Sequence, residues 1–563
     1  MIECKVIPIS RSRIISVLFL VLLWPGFTPV FSRDEPDTFE KVIITTDRSI
    51  YYTGDILWFN ASVMSSLPSG LASTVVYIEI FDHRMLPVLQ TKCRVKNNVA
   101  QSGISIPDDL ITGSYFIRAY TQFMRNYPPE YYHTSQLIVI NPNAPPENGM
   151  YVVDTSRFQM GWHDRRAKEH VRISTDKDKY RPGDVMNATI TGEDIDDLSI
   201  AVVRKGTYIR SYHGINESPG RSEIPRDEIE WCPEIRGVSV SGRVVNTETG
   251  QAIGHALVYA GVNVGQQQFH VTRTDGSGSF IFSLQNLEDR QEVFIAVENQ
   301  PEVSATILVN NDFAPEFPEI PITAMVMDTP TYELYNRLYL DKQSRLHDSI
   351  PVNVFYETDS LNPHPFHYVD NGIWLRDYVP LPTLREVFSE LVPNSYVRDI
   401  EGRQRIVTFD PKTNIVSENT MVLLDGVPFT DHDRLLTIHP ERIRSIHVIP
   451  TYFVNGGSVL HGLVSISTVR HDLNGLELPD GAVVVKVGSL CRQIKPVQPG
   501  TGNIGDSFTE TLLYWDAQAS LISGQHLFRI PIPECEGAYE IIVSGIDRKG
   551  VEVFSGKSLV IQP

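Results

Sequence analysis

The sequence predicts a mainly β protein, built of tandem β-sandwich domains with one α/β module among them. Three observations carry that prediction. Short alternating runs at 76–81, 482–487 and 539–543, bounded by Gly, Pro, Asp or Asn, have the period of half-buried strands. The pattern Thr-Asp-basic-x-x-Tyr-x-x-Gly-Asp stands at 46–55 and again at 175–184, 129 residues apart, so two similar sandwiches in tandem are the economical reading. Helical periodicity is rare. Its clear instance is Thr383 followed by Leu384, Val387, Phe388 and Leu391, with Glu386 where a capping box places it.

At about 100–200 residues per domain, 563 residues call for three to five domains, and 42% hydrophobic positions can give each a core. The 37 Gly and 37 Pro are an ordinary globular share, which excludes collagen-like and low-complexity classes. The 68 Asp+Glu outnumber 49 Lys+Arg, a net charge of −19, so nucleic acid and anionic membrane surfaces are poor partners for a chain that repels polyanions.

Residues 1–32 read as a secretory signal: Lys5, Arg11 and Arg13 precede an apolar run at 14–24, and Val30-Phe31-Ser32 offers a cleavage site before Arg33. An uncleaved anchor or a buried helix is the alternative, but the run is far short of the ~20 residues a span needs. The reading is an exported protein, periplasmic or associated with the outer membrane or cell surface of a Gram-negative bacterium, with no integral span. Cys4 lies on the wrong side of the apolar run for lipid attachment. Cys93, Cys232, Cys491 and Cys535 show no CxxC spacing; a Cys491–Cys535 pair and isolated buried thiols are both open.

The first repeat copy, with Gly113 to Thr121 and Met124-Arg125-Asn126-Tyr127 behind it, resembles the MG2 domain of the α2-macroglobulin family in the form found in Bacteroidota surface proteins, and is placed at 40–142. The second copy, followed by the 198–203 run, resembles another macroglobulin-like, Ig-like sandwich at 150–212, and the polar stretch 213–236 reads as a linker. Ser241-Gly242-Arg243-Val244-Val245, the 256–260 run and Thr274-Asp275-Gly276-Ser277-Gly278-Ser279-Phe280 resemble the carboxypeptidase regulatory-like domain, a prealbumin-type sandwich at 238–309; the resemblance implies scaffold and not hydrolysis. Residues 310–379 are unassigned. At 380–472 the helix, the Leu423-Leu424-Asp425-Gly426-Val427-Pro428 turn, the short helix begun by Pro440 and the 462–468 run resemble the plug domain of TonB-dependent outer-membrane receptors. In a receptor a barrel of about 22 strands follows the plug, which the 91 residues after 472 cannot supply. The stretch 481–563 resembles the terminal sandwich of such Bacteroidota proteins.

Motifs that carry chemistry are not found. None of the 16 histidines has HExxH or HxxE spacing, and His432, His439, His447, His461 and His471 read as solvated loop residues rather than a metal site. The acidic clusters Glu193-Asp194-Ile195-Asp196-Asp197 and Asp431-His432-Asp433 lack the calcium-loop pattern and read as solvated turns. Gly550 to Ser558 misses P-loop spacing by one residue. The Gly-Cys-Gly-Glu-Gln thioester of covalent protease traps is matched neither at Cys491 nor at Cys535. The expectation is a non-enzymatic binding or assembly protein of the Bacteroidota envelope, without cofactor or metal, working with envelope proteins and an outer-membrane β-barrel encoded separately; a non-covalent macroglobulin-like protease inhibitor is the alternative. The contact residues expected at exposed turns of the plug-like module are Asp425, Gly426, Asp431, Asp433, Asn455, Gly456 and Gly457.

Overall fold

The computed structural model describes residues 39–144 (without 69), 171–208, 229–320 (without 263–267, 286, 288–290 and 299–303), 336–337, 340, 354–356, 372–496 (without 456–457, 471, 479–480, 489 and 492–493) and 511–563 (without 534–535 and 549). All of them belong to one compact unit, Thr38–Pro563. The signal at 1–32 and most of the 213–236 linker lie outside the described residues.

The repeated pattern folds into the same local structure twice. In the first copy the Asp47 carboxylate accepts from Tyr51 Oη at 2.8 Å, from the Trp58 backbone N–H at 2.9 Å and from Arg48 Nη1 at 2.5 Å, while Asp55 accepts from Arg48 Nη2 at 2.7 Å. In the second, Asp176 accepts from Tyr180 Oη at 2.6 Å and from the Asn187 N–H at 3.0 Å, and Asp184 accepts from Lys177 Nζ at 3.1 Å. Each Asp ties the turn to the next strand, and each Tyr carries its hydroxyl to that Asp from the core. The pattern is a fastening for a strand reversal, buried in the first copy and exposed in the second.

The first sandwich packs a three-stranded sheet (Glu40–Thr46, Ile56–Ser65, Val99–Ser105) on a five-stranded one (Ile50–Tyr52, His133–Ile140, Gly113–Tyr120, Val75–Asp82, Pro87–Arg94). Along Ile56–Ser65 the period of two sends Leu57, Phe59, Ala61 and Val63 into its core. Trp58, Asn60 and Ser62 point the other way and are also buried, because a second sandwich covers that face.

That second sandwich is not the one expected at 150–212, nor is 481–563 a sandwich of its own. Strand Ile195–Arg204 pairs with Gly537–Asp547 and Leu512–Asp516, Val185–Gly192 pairs with Gln525–Pro531, and Lys179–Tyr180 runs parallel to Glu552–Ile561. The two segments are halves of one domain, with a common core that includes Met186, Ile190, Ile200, Phe528, Ile541 and Val543. Neither half has strands enough to cover both faces of a core. The composite sandwich meets the first through Trp58, Trp515, Ala201, Val203 and Ile542. Asp197 belongs to this junction: it is buried and accepts from Asn60 Nδ2 at 2.7 Å and from the Ser62 hydroxyl, so it is not a solvated turn residue.

Between the halves the chain builds a third sandwich in the 238–309 region. One sheet is Ser279–Leu284, Val238–Asn246, Ala305–Val309; the other is Gln268–Arg273, Leu257–Val262, Gln291–Val297 and, from far along the chain, Val483–Val487. The α/β module is inserted before that last strand. The molecule is therefore nested twice over.

Residues 311–320, from the stretch with no expected structure, cross the outer face of the first sandwich. Arg118, fully buried and ion-paired with Glu79, donates to the backbone carbonyls of Glu316 at 2.5 Å and Ala314 at 2.8 Å, and its guanidinium lies 3.9 Å from the centre of the Phe317 ring. Lys92 ion-pairs with Asp312 beside Tyr77 and Phe313. Cations on one sheet thus meet carbonyls, a carboxylate and aromatic faces on the crossing segment.

In the α/β module Thr383 caps helix Leu384–Glu390 by accepting from the Glu386 N–H at 3.2 Å, and Leu384, Val387 and Phe388 are its buried residues, as the stripe predicts. Pro440–Arg442 is a single 3₁₀ turn feeding Ile443–Asn455. The main sheet runs Ile373–Trp374, Ile443–Asn455, Ser458–Thr468, Met421–Leu424, Val427–Pro428, with Met421–Leu424 parallel to Ser458–Thr468.

Candidate interaction surfaces

The structure separates the five of the seven expected contact residues that it describes, Asp425, Gly426, Asp431, Asp433 and Asn455. Asp425 and Gly426 form the reversal between Met421–Leu424 and Val427–Pro428, both at positive φ (49° and 83°), the combination a two-residue type I′ turn needs. The turn does not reach solvent, contrary to expectation. Asp425 is 0% exposed and accepts from the Thr468 N–H at 2.7 Å, the Thr468 hydroxyl at 2.7 Å and the Leu473 N–H at 3.0 Å. Gly426 is buried on the third sandwich, where the approach is so close that a Cβ on Gly261 would collide with the Gly426 carbonyl. A carboxylate with three donors fixes the turn, and the turn fastens the module to its neighbour. Asp425-Gly426 is an internal joint.

Asp431 and Asp433 lie together and exposed. Asp431 caps the short helix His432–Leu436 by accepting from the Arg434 N–H at 3.2 Å, and Asp433 accepts from the Gln404 N–H at 3.0 Å. Between them His432 is buried, with Nδ1 accepting from the Ile406 N–H at 3.0 Å. Burial first, and then the positive Arg405, pushes its imidazole down to about 4. His447 is also buried, in strand Ile443–Asn455. These two are not solvated loop histidines. Among the described residues no cluster of His, Cys, Asp or Glu is set to hold a metal ion.

Asn455 ends its strand opposite Ser458; Gly456 and Gly457 lie outside the described residues. The pair of strands that Asn455 and Ser458 terminate offers what the turns do not. Beyond Tyr452 and His461 its strands pair, among the described residues, only with each other. Leu460 on one face joins Tyr259, Phe269, Val271, Leu423 and Leu463 in an apolar cluster against the third sandwich. On the other face the cross-strand pairs Tyr452–His461 and Val454–Val459 stand outward, with Tyr452 63%, Val454 69% and Val459 54% exposed. Between Arg444 and Arg470 there is no Asp, Glu, Lys or Arg. Composition alone did not reveal this face: its residues are ordinary strand formers, and only the pairing shows which of them lack cover.

The cysteine pairing, open from the sequence, is neither of the two alternatives for Cys491. Cys491 pairs with Cys93, not with Cys535, which lies outside the described residues; Cys232 is exposed.

Searches against protein-family models find no match. Among curated proteins the chain is similar to the phenylalanine--tRNA ligase alpha subunit of Ralstonia pickettii (strain 12J), 27% identical over 158 residues, which are 27% of this chain and 45% of that protein. Among solved structures it aligns with Salmonella alpha-2-macroglobulin reacted with methylamine (9% identity, TM-score 0.21, 93% of this chain and 40% of that one) and with trypsin-activated alpha-2-macroglobulin from Escherichia coli (8%, 0.23, 93% and 42%). The chain spans about two fifths of those macroglobulins and less than half of the ligase subunit. At these identities and TM-scores none of the alignments carries an argument about this chain's function. Among the described residues no helix is long and apolar enough to cross a membrane.

Proposed function

We propose that this chain is an exported, non-enzymatic binding and assembly protein of the Gram-negative cell envelope, an accessory to an outer-membrane β-barrel encoded separately. The observation that carries the reading is the Tyr452/Val454/Val459 face. It is an apolar, charge-free strip on a hairpin whose reverse side is bolted to a rigid sandwich. In a chain with net charge −19, such a strip is where a partner can be met without desolvating ions. The Asp425 joint fastens the base of the same hairpin at Thr468, beside the Gly426–Gly261 contact with the third sandwich.

The test is affinity capture from native outer membranes with the full mature chain and with a Val454→Asp/Val459→Asp variant that keeps its thermal transition. A specific barrel protein retained by the first and lost by the second is expected. Equal capture by both ends this placement of the contact face. Inhibition or hydrolysis of peptides by the same preparation would replace the proposal with the protease-inhibitor or the enzymatic reading.

A further inference from the structure

A cleft of about 350 Å³ opens between the first and third sandwiches, away from the α/β module and independent of the reading above. Its size is within the range of small-ligand sites, which favour domain junctions. Gln122 and Arg125 line it from the first sandwich. Ser241, Asn310, Asn311 and Lys486 line it from the third, Lys486 on the strand that returns after the insertion.

The charge balance of this cleft runs against that of the chain. Asp312, the carboxylate among its lining residues, is already satisfied by Lys92 and by the Gly488 N–H at 2.8 Å. Arg125 is held in place: Nη1 donates to Gln122 Oε1 at 3.1 Å and to the Asn311 carbonyl at 3.2 Å, and the guanidinium lies 3.6 Å from the centre of the Trp231 ring. No carboxylate among the described residues pairs with it or with Lys486; Glu292 stands opposite Lys486 in the strand register without forming an ion pair. The Asn311 side-chain amide has no partner among the described residues, while Asn310 Nδ2 donates to the Ser241 hydroxyl at 3.0 Å. The cleft thus offers two cations that stand outside any ion pair among the described residues, beside amide and hydroxyl groups, in a protein whose net charge is −19.

We propose that this cleft binds a small hydroxyl-rich organic anion of the acidic-sugar class. Arg125 and Lys486 take the charged group, as charge-assisted donors do. Gln122, Asn311 and Ser241 take hydroxyls, which both donate to and accept from amide and hydroxyl side chains. The charged group is a carboxylate or a phosphate, and the probes below separate the two.

Calorimetric titration of the full mature chain with glucuronic acid, glucose 6-phosphate, glucose and inorganic phosphate tests the assignment. At least one of the two acidic sugars binds, more than about tenfold tighter than glucose or inorganic phosphate, and the better of them identifies the charged group. Lys486→Gln, an exposed change with no bond to lose, weakens that binding about tenfold and leaves the melting curve in place. Asn311→Ala weakens it less, and raised salt weakens it in the wild type. The assignment is overturned if neither acidic sugar binds at millimolar concentration, if glucose binds as tightly, if inorganic phosphate alone binds as tightly (an adventitious ion only), or if Lys486→Gln binds like the wild type.

Discussion

Cys93 and Cys491 are 398 residues apart in the chain and joined by a disulfide, with their Cα atoms 5.4 Å apart. Cys93 is the penultimate residue of Pro87–Arg94, an edge strand of the first sandwich, and Cys491 lies on the segment that leaves the third sandwich on its way back to the second. Around the bond the Cys491 N–H donates to the Lys92 carbonyl at 2.6 Å and the Ile494 N–H to the Ser102 hydroxyl at 3.2 Å. The returning chain is laid against the first domain and locked there. Digestion of the unreduced protein is expected to yield a Cys93–Cys491 linked peptide, and a Cys93→Ser/Cys491→Ser variant to lose roughly 2–5 kcal/mol in denaturant unfolding. A Cys491–Cys535 peptide in its place would refute the pairing.

The two copies of the Asp–Tyr fastening differ in burial, and their substitutions should differ accordingly. Tyr51→Phe removes a hydroxyl from the buried carboxylate of Asp47 and is expected to cost about 1–3 kcal/mol; Tyr180→Phe, whose Asp176 is exposed and can be solvated, should cost under about 1 kcal/mol. Equal losses in paired unfolding curves would contradict the difference in environment.

Asp425 is the residue whose role changed most between sequence and structure. Asp425→Ala strands the N–H groups of Thr468 and Leu473 without their acceptor, a cost of roughly 3–5 kcal/mol by the usual penalty for buried unpaired donors. A variant with wild-type stability would return Asp425 to the surface.

His432 gives the α/β module a pH dependence. Its folded pKa, about 4, lies below the unfolded value near 6.5, so between those limits the unfolded chain binds more protons and stability falls as pH falls. The contribution is complete above about pH 6.5, and roughly 3 kcal/mol of it is gone at pH 4. His432→Asn, which keeps an acceptor for the Ile406 N–H but does not titrate, should flatten that part of the melting-temperature profile. An unchanged slope would place the titration in another group.

What the sequence made legible was local. The repeated reversal, the Thr383 cap and the Asp425-Gly426 turn each depend on residues within about ten positions, and each forms as its pattern dictates. Partnership over distance was not legible. Alternation along 198–203 says which side chains face a core, but it cannot say that strands beyond 511 complete that core, because a period of two specifies a face and not a neighbour. The same limit hid the true role of Asp197: five acidic and apolar residues read as a surface turn until Asn60 and Ser62 arrive from the other sandwich. Asp-Gly signals a turn correctly and says nothing of the Thr468 and Leu473 donors that bury it.

The nested arrangement also imposes an order of events on biosynthesis. About 300 residues separate Arg204 from Leu512, so at ~5–20 residues per second a growing chain spends tens of seconds with half of its second sandwich made and the other half not yet begun. During that interval Val185–Gly192 and Ile195–Arg204 expose unfilled edges, which favour adventitious strand pairing. The last fifty residues close the domain. A holdase that keeps the chain open until its final strands emerge therefore protects this topology more than it would a string of self-contained domains.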